Sequence, residues 1–204
     1  MCGRYTWSVN DVFEFQNLAP EQSDSFKTSF NRAPGQIHPT IRYKEGKGVW
    51  TKMWWGRSPK SDYKLPINAR SESVQQKPSF KQLFRNQSCL VPAAGFFEWQ
   101  VIENQKYPHF IYLPDSSSFA LAGIWKEFPV NEDSSSCFSI LTRSAPSNLL
   151  HLHHRVPLVV KKEHWKSWLS PNTSENILQR IIHEKNPRLT FHQVDSRVNS
   201  PKNN

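Results

Sequence analysis

Cys2 stands directly behind Met1. Removal of an initiator methionine in front of so small a side chain would leave a terminal residue with both an amine and a thiol. An α-amine has a pKa of about 7.7–8.0, far below that of lysine. A useful fraction is therefore neutral and nucleophilic near pH 7 without burial. The thiol, with a pKa of about 8.5, sits two carbons away. An aldehyde meeting this pair forms an imine with the amine, and the thiol then closes a five-membered thiazolidine. An internal cysteine lacks the amine and cannot do this. Taken alone, a small residue at position 2 is also commonplace.

Three further segments hold groups that can serve such chemistry. In Asn68-Ala69-Arg70-Ser71-Glu72, Asn68 can hydrogen-bond to a terminal amine and Arg70 can grip a phosphate with its planar fork. After Pro66-Ile67 the five residues read as a strand end entering a helix or loop, and they also suit a capped turn with a surface ion pair. In Val91-Pro92-Ala93-Ala94-Gly95-Phe96-Phe97-Glu98-Trp99, a lone carboxylate sits in an apolar run. Burial would raise its pKa and make Glu98 a general acid or base near neutrality. On a strand, Phe96 and Glu98 share one face and Phe97 and Trp99 the other. The alternative is an exposed Glu on a solvated face. In His151-Leu152-His153-His154-Arg155-Val156-Pro157, His151 and His153 have ligand spacing, but no acidic or cysteine cluster completes a metal site. His153 fits better as a proton shuttle beside Glu98 and Cys2. Arg155, like Arg70, suits a phosphate.

The elements that must hold these groups are mostly strands. Runs at 48–55, 89–92, 95–100, 107–113, 119–128, 137–142, 157–160 and 189–194 are short and rich in aromatic and β-branched residues, with Pro, Gly, Asn or Ser at their ends. Helical patterns are fewer. Ser79 is placed to cap a helix carrying Phe80, Leu83 and Phe84 on one face. Trp165, Trp168 and Leu169 are spaced for a second. Ile177, Leu178, Ile181 and Ile182 stripe a third behind Thr173 and Ser174. The balance predicts an α+β fold, an antiparallel sheet curled around a core with helices outside it. No domain boundary is visible, so residues 1–199 read as one domain. The polar segment 131–136 reads as a surface loop and 200–204 as a disordered tail.

Composition narrows the function classes. Aromatics make up 13 % of the 204 residues, which excludes a disordered chain. The formal net charge of +9 favours a polyanionic partner, most simply nucleic acid. The three cysteines, Cys2, Cys89 and Cys137, are too few and too scattered for a disulfide framework or a cysteine zinc site. No stretch approaches the ~20 apolar residues that span a bilayer, and no basic start leads into an apolar run. An intracellular protein is expected, with no membrane partner and no metal or cofactor.

The segments above occur in a recognisable order together with Cys2-Gly3-Arg4-Tyr5, Asn31-Arg32-Ala33-Pro34-Gly35-Gln36, Gly123-Ile124-Trp125 and His153-His154-Arg155-Val156-Pro157. From Cys2 to about Asn199, the chain resembles the SOS-response-associated peptidase family, which includes bacterial abasic-site processing proteins. The resemblance implies a curved, mixed, barrel-like sheet flanked by helices, with a positive groove across Cys2. It implies a monomer that binds single-stranded DNA containing abasic sites and forms a thiazolidine crosslink to the ring-opened sugar. By the same resemblance Cys2 is the nucleophile, Asn68 orients it, Glu98 is the acid/base and His153 moves protons. Arg4, Arg70 and Arg155 are candidates for the DNA backbone, and Trp54 and Trp55 for stacked bases. The chain departs from the family pattern at Phe96-Phe97, where Tyr is common, at Val156 in place of Met, and at Arg57 in place of an apolar residue. Two other activities fit the same residues: a thiol peptidase built on Cys2, His153 and Glu98 or Asn68, and a non-catalytic module for single-stranded nucleic acid. One residue added before Cys2 separates the three, because it removes the amine and leaves the thiol.

Overall fold

The run Ser88–Ala93 (β6) is buried at every position, as a strand with both faces covered requires. Its side chains alternate between two cores. Leu90 packs with the helices, whereas Cys89, Val91 and Ala93 pack with Cys2, Tyr5 and Trp7. Phe119–Val130 (β9) repeats the division, with Ala120, Ala122 and Ile124 on the first side and Phe119 and Leu121 on the second. Pro92, with no N–H to donate, lies where only β9 pairs with β6.

These strands belong to a computed structural model that describes residues 2–20, 26–59, 64–130 and 133–203. The remaining strands are β1 (Tyr5–Trp7), β2 (Ser29–Arg32), β3 (Ile37–Lys44), β4 (Lys47–Trp55), β5 (Asn68–Arg70), β7 (Gly95–Ile102), β8 (Gln105–Tyr112), β10 (Asp133–Ser144), β11 (Arg155–Pro157), β12 (Val159–Val160) and β13 (Thr190–Gln193). The helices are α1 (Pro78–Asn86), α2 (Trp165–Leu169) and α3 (Glu175–His183). Strands β10, β4, β3, β6 and β9 pair in a closed ring, with β4 and β10 parallel at Trp54 and Cys137. A second sheet of order β13-β8-β7-β1-β2 packs beside the barrel. The fold is α+β, with few helices. No helix of the described residues is long and apolar enough to cross a membrane.

All eight predicted runs are strands, with one division: 157–160 breaks at Leu158 into β11 and β12. Three strands, β1, β2 and β3, escaped the sequence reading, and β5 was legible only as a strand end. β1, β2 and β5 have three or four residues each and exist only through their partners, and His38-Pro39 masks the alternation in β3. The segment expected as a loop at 131–136 is a hairpin arm from Asp133 on, with Ser135 and Ser136 opposite Phe128 and Glu127. Residues 131 and 132 lie outside the described set. α1 begins one residue before Ser79, with Pro78 in its first turn and Lys77 at the cap position. Ile177 is exposed, so the buried stripe of α3 is Leu178, Ile181 and Ile182. The tail is also more fixed than its polarity suggested. Asn31 Nδ2 lies 2.8 Å from the carbonyls of both Ser200 and Asn203.

Two features aim the site. Gly95 has no room for a side chain, since a Cβ there would meet the Phe110 ring at 2.3 Å. Its absence lets β7 lie close against β8. Arg155 makes a bidentate pair with Glu72, at 2.7 and 2.8 Å, and also donates to the Thr142 carbonyl. This buried guanidinium ties β11 and β10 to the turn that follows β5. The Arg155 hydrogen bonds hold the Glu72 carboxyl down at about 2.

Arg155→Met should cost roughly 1–3 kcal/mol in denaturant unfolding, less than the ~3–5 of a fully buried pair because Glu72 is half exposed. The folded-state pKa of Glu72 is depressed, so this contribution is complete above about pH 5 and disappears as pH falls toward 2. A variant with unchanged stability at pH 7 would remove the role assigned to this pair.

Candidate active site

Cys2 enters the molecule just ahead of β1. Its position follows from how β1 is seated. Tyr5 pairs with Phe96 of β7 on one side and with Arg32 of β2 on the other. The Phe97 N–H donates to the Arg4 carbonyl at 2.9 Å and continues that pairing back toward Cys2. The Cys2 carbonyl accepts from Asn68 Nδ2 at 2.8 Å. Asn68 Oδ1 is buried and has no hydrogen-bond partner among the described residues. Cys2 itself is fully buried, and its Sγ lies 3.8 Å from the Arg4 carbonyl. Burial, and next the charge of Glu98, push its thiol well above the ordinary cysteine range.

Glu98 projects from β7 and is only 2 % exposed. It shares a face with Phe96, which packs into the core with Cys2. Burial raises its carboxyl to about 7. His153 lies in the loop before β11. Its Nδ1 accepts the Arg155 N–H at 2.9 Å, and its ring stacks on His154 at a centroid distance of 4.3 Å. The same Nδ1 lies 3.1 Å from the Arg155 carbonyl oxygen. Burial lowers the pKa of His153. An open cleft of about 650 Å³ has Gly3, Arg4, Glu98, Trp99, Lys106 and His153 on its walls. Cys2 is not on these walls; it is buried next in sequence to Gly3, which is.

The four candidates for chemistry thus divide into two pairs: Cys2 and Asn68 joined by a hydrogen bond, and Glu98 and His153 on the cleft wall. The candidates for DNA contact fare differently. Arg4 lines the cleft, but its guanidinium donates to Asn31 Oδ1 and to the carbonyls of Val198 and Asn199. Arg70 is exposed at the end of β5, on the same strand face as Asn68. Arg155 is corrected: it is buried and committed to Glu72 and Thr142, so its fork is unavailable to a phosphate. Trp55 is corrected as well. It is fully buried, stacked at 11° on Phe138, with its Nε1 donating to the Ile67 carbonyl, and no base can reach it. Trp54 is half-buried against the helix-side core.

Trp99 was the missed residue. It is half-buried on the cleft wall, and its Nε1 donates to Asn199 Oδ1 at 2.6 Å. Lys106 joins it because the β7–β8 hairpin sets Lys106 opposite Val101. Adjacency to Glu98 was the available signal for Trp99; none marked Lys106. Among the described residues, one group has metal-ligand geometry: Glu163, His164 and Glu184. Glu184 is already engaged by Lys161 and His164, and none of the three lines the cleft.

A family model described as SOS response associated peptidase (SRAP) matches residues 1–201. The curated relative "Abasic site processing protein YoqW" of Bacillus subtilis is 32 % identical over 219 residues, covering all of this chain and 96 % of that protein. "Abasic site processing protein YedK" of Escherichia coli is 28 % identical over 213 residues, covering all of this chain and 96 % of that protein. "Abasic site processing protein HMCES" of Pongo abelii is 28 % identical over 240 residues, covering 93 % of this chain and 67 % of that protein. A crystal structure of a protein from Bacteroides thetaiotaomicron shares the fold, with a TM-score of 0.83 at 22 % identity over all of this chain and 97 % of that one. With the family model spanning nearly every residue and relatives matched end to end, the chain belongs to the SOS response associated peptidase family.

Proposed function

We propose that the protein binds single-stranded DNA as a monomer and captures the ring-opened aldehyde of an abasic site as a thiazolidine on Cys2. The names of the relatives support abasic-site processing as the task. The observation that carries the chemistry is the burial of Glu98 near enough to Cys2 for its charge to act on the thiol, with its own carboxyl raised by burial to about 7. Near neutrality Glu98 is present as both acid and base. It can therefore protonate the ring oxygen of the closed sugar and later take the proton back.

The order of steps follows from the electrostatics. The buried Cys2 thiol is a poor source of thiolate, since burial and Glu98 both disfavour its charge. A thiolate-first peptidase would need the opposite environment. A terminal amine needs only to be neutral. Once Met1 is removed, the Cys2 nitrogen adds to C1′, and loss of water leaves an iminium. The neutral thiol then adds sulfur to that carbon, and its proton passes to a nearby base. The net change is aldehyde plus aminothiol to thiazolidine plus water, with no oxidant or reductant. Asn68 supports the first step, because its unpartnered Oδ1 is the acceptor a freed amine requires. His153, on the cleft wall, can move the protons. Ring closure withdraws the iminium before β-elimination can cut the strand.

The surroundings favour a single strand. Net charge is +9, Arg70 is exposed beside Asn68, and Lys106 and Trp99 offer a cation and an aromatic face on the cleft wall. The rearrangement of expected contacts matters here. Stacking belongs to Trp99 in this reading, and phosphate contact to Arg70 and Lys106.

Intact mass of the active protein should show Met1 removed. Cys2→Ala keeps a terminal amine, so it should lose the stable adduct on a denaturing gel while borohydride still traps an imine. A residue added before Cys2 should lose both products. Equal unreduced adduct from Cys2→Ala and parent would end the thiazolidine reading.

Crosslinking should follow a bell in pH. It needs Glu98 protonated, which fails as pH rises past about 7, and the amine neutral, which fails below about 8. Glu98→Gln should slow the reaction at least ~10-fold, about 1.4 kcal/mol of barrier, and abolish the alkaline limb. A variant retaining both rate and bell would clear Glu98 of this role.

Arg70→Ala should weaken single-strand binding about equally for all sequences and lower the dependence of log K on log salt by about one ion, as loss of one phosphate contact does. An unchanged slope would take Arg70 off the DNA path.

A further inference from the structure

A second cavity, of about 300 Å³, shares no lining residue with the cleft. Its walls include Phe26, Lys27, Arg32, Ile37, His38 and Lys52, and no carboxylate among the described residues. Arg32 is the unusual member. β2 carries it into the protein opposite Tyr5, where it is 9 % exposed. One terminal nitrogen donates to the Ile37 carbonyl at 3.0 Å and the other to the Lys27 carbonyl at 2.6 Å. Its Nε is buried without a hydrogen-bond partner, and no ion pair to it exists among the described residues. A buried guanidinium is costly unless an anion compensates it, and carbonyls supply only dipoles.

The described neighbours do not supply that anion. His38 is fully buried, with Nδ1 2.6 Å from the Tyr5 hydroxyl and Nε2 3.0 Å from the Ala33 carbonyl. Both nitrogens are used by a neutral ring: one donates to the carbonyl and the other accepts from Tyr5. Burial, and next the Arg32 charge, depress its pKa to about 3, so it stays neutral. Lys27 and Lys52 are exposed at the rim, and Lys52 Nζ stands 6.0 Å from the centre of the Phe26 ring. The cavity therefore combines three cations with an apolar wall of Phe26 and Ile37.

We propose that this cavity is a phosphate-binding site in which Lys27 and Lys52 hold a phosphate of a nucleotide or of a DNA strand beside the buried charge of Arg32. A dianion or diester there compensates Arg32, and charge-assisted hydrogen bonds from the two lysines complete its shell. Phe26 and Ile37 give an attached sugar or base an apolar surface. The site stands apart from the crosslinking chemistry and does not depend on it.

The test uses the full chain and four probes: inorganic phosphate, deoxyadenosine, deoxyadenosine monophosphate and an oligothymidine without abasic sites. Phosphate and the monophosphate should raise the melting temperature in proportion to occupancy, and deoxyadenosine should not. Because Arg32→Gln risks the fold, the decisive variant is Lys27→Gln with Lys52→Gln, both on exposed side chains. It should bind the monophosphate at least about fivefold more weakly, as loss of two cations near one phosphate requires. Weakening confined to the oligothymidine would assign the site to strand phosphates. Glu98→Gln should leave monophosphate affinity unchanged, which separates this site from the cleft. No stabilisation by phosphate, the monophosphate or the oligothymidine, or equal affinity of the double variant and the parent for both the monophosphate and the oligothymidine, would overturn the proposal.

Discussion

The hydrogen bonds that seat Tyr5–Trp7 between Gly95–Ile102 and Ser29–Arg32 decide where Cys2 can be. A chain terminus is ordinarily the least fixed part of a domain. Here Tyr5 and Trp7 are fully buried, and pairing runs back through the Phe97 N–H to the Arg4 carbonyl. Asn68 then fixes the Cys2 carbonyl from a different strand. Three separate stretches of sequence thus converge on one residue. Each contact is a single backbone or amide hydrogen bond, but the register between β1 and β7 sets which β7 side chain meets Cys2. A slip of one residue would turn Glu98 to the opposite face and bring Phe97 or Trp99 into its place.

Burial then does two opposite things to the site. It raises the carboxyl of Glu98 to about 7, where the group is useful as both acid and base. It also raises the thiol of Cys2, where the group is poorly suited to attack as a thiolate. Desolvation disfavours the charged form in both cases. The same environment therefore favours chemistry led by a neutral amine and completed by a neutral thiol. A hydrolytic role for the thiol would require a nearby cation, and His153 is itself pushed toward its neutral form.

The basic charge of the chain is not one undivided surface. Arg155 holds the barrel to the Asn68 strand, and Arg4 joins the N-terminus to Val198 and Asn199. Arg32 is buried, and its partners among the described residues are carbonyls. Arg70 and Lys106 remain exposed. Arginines spent on structure add to the net charge without adding phosphate contacts. Net charge consequently overstates the footprint available to nucleic acid. It nevertheless points to the right class of partner for the proposed function.

The strands with strong β-branched and aromatic content were legible in the sequence, and so were the helical stripes at Phe80-Leu83-Phe84 and Trp165-Trp168-Leu169. Local periodicity is enough to specify such elements. The quartet Cys2, Asn68, Glu98 and His153 was legible only as motifs in a recognised order, since nothing local joins residues 2, 68, 98 and 153. The structure decided which of the other candidates are free to act. Trp55 and Arg155 carry the same side chains as a stacking platform and a phosphate clamp, but their strands turn them inward, to Phe138 and to Glu72. The short strands β1 and β2 could not be read at all and β5 only as a strand end, because strands of three or four residues are stabilised by their neighbours rather than by their own pattern. Residue type and order determined the kind of chemistry available to this protein. Burial and strand direction, which depend on contacts remote in sequence, decided which side chains can perform it.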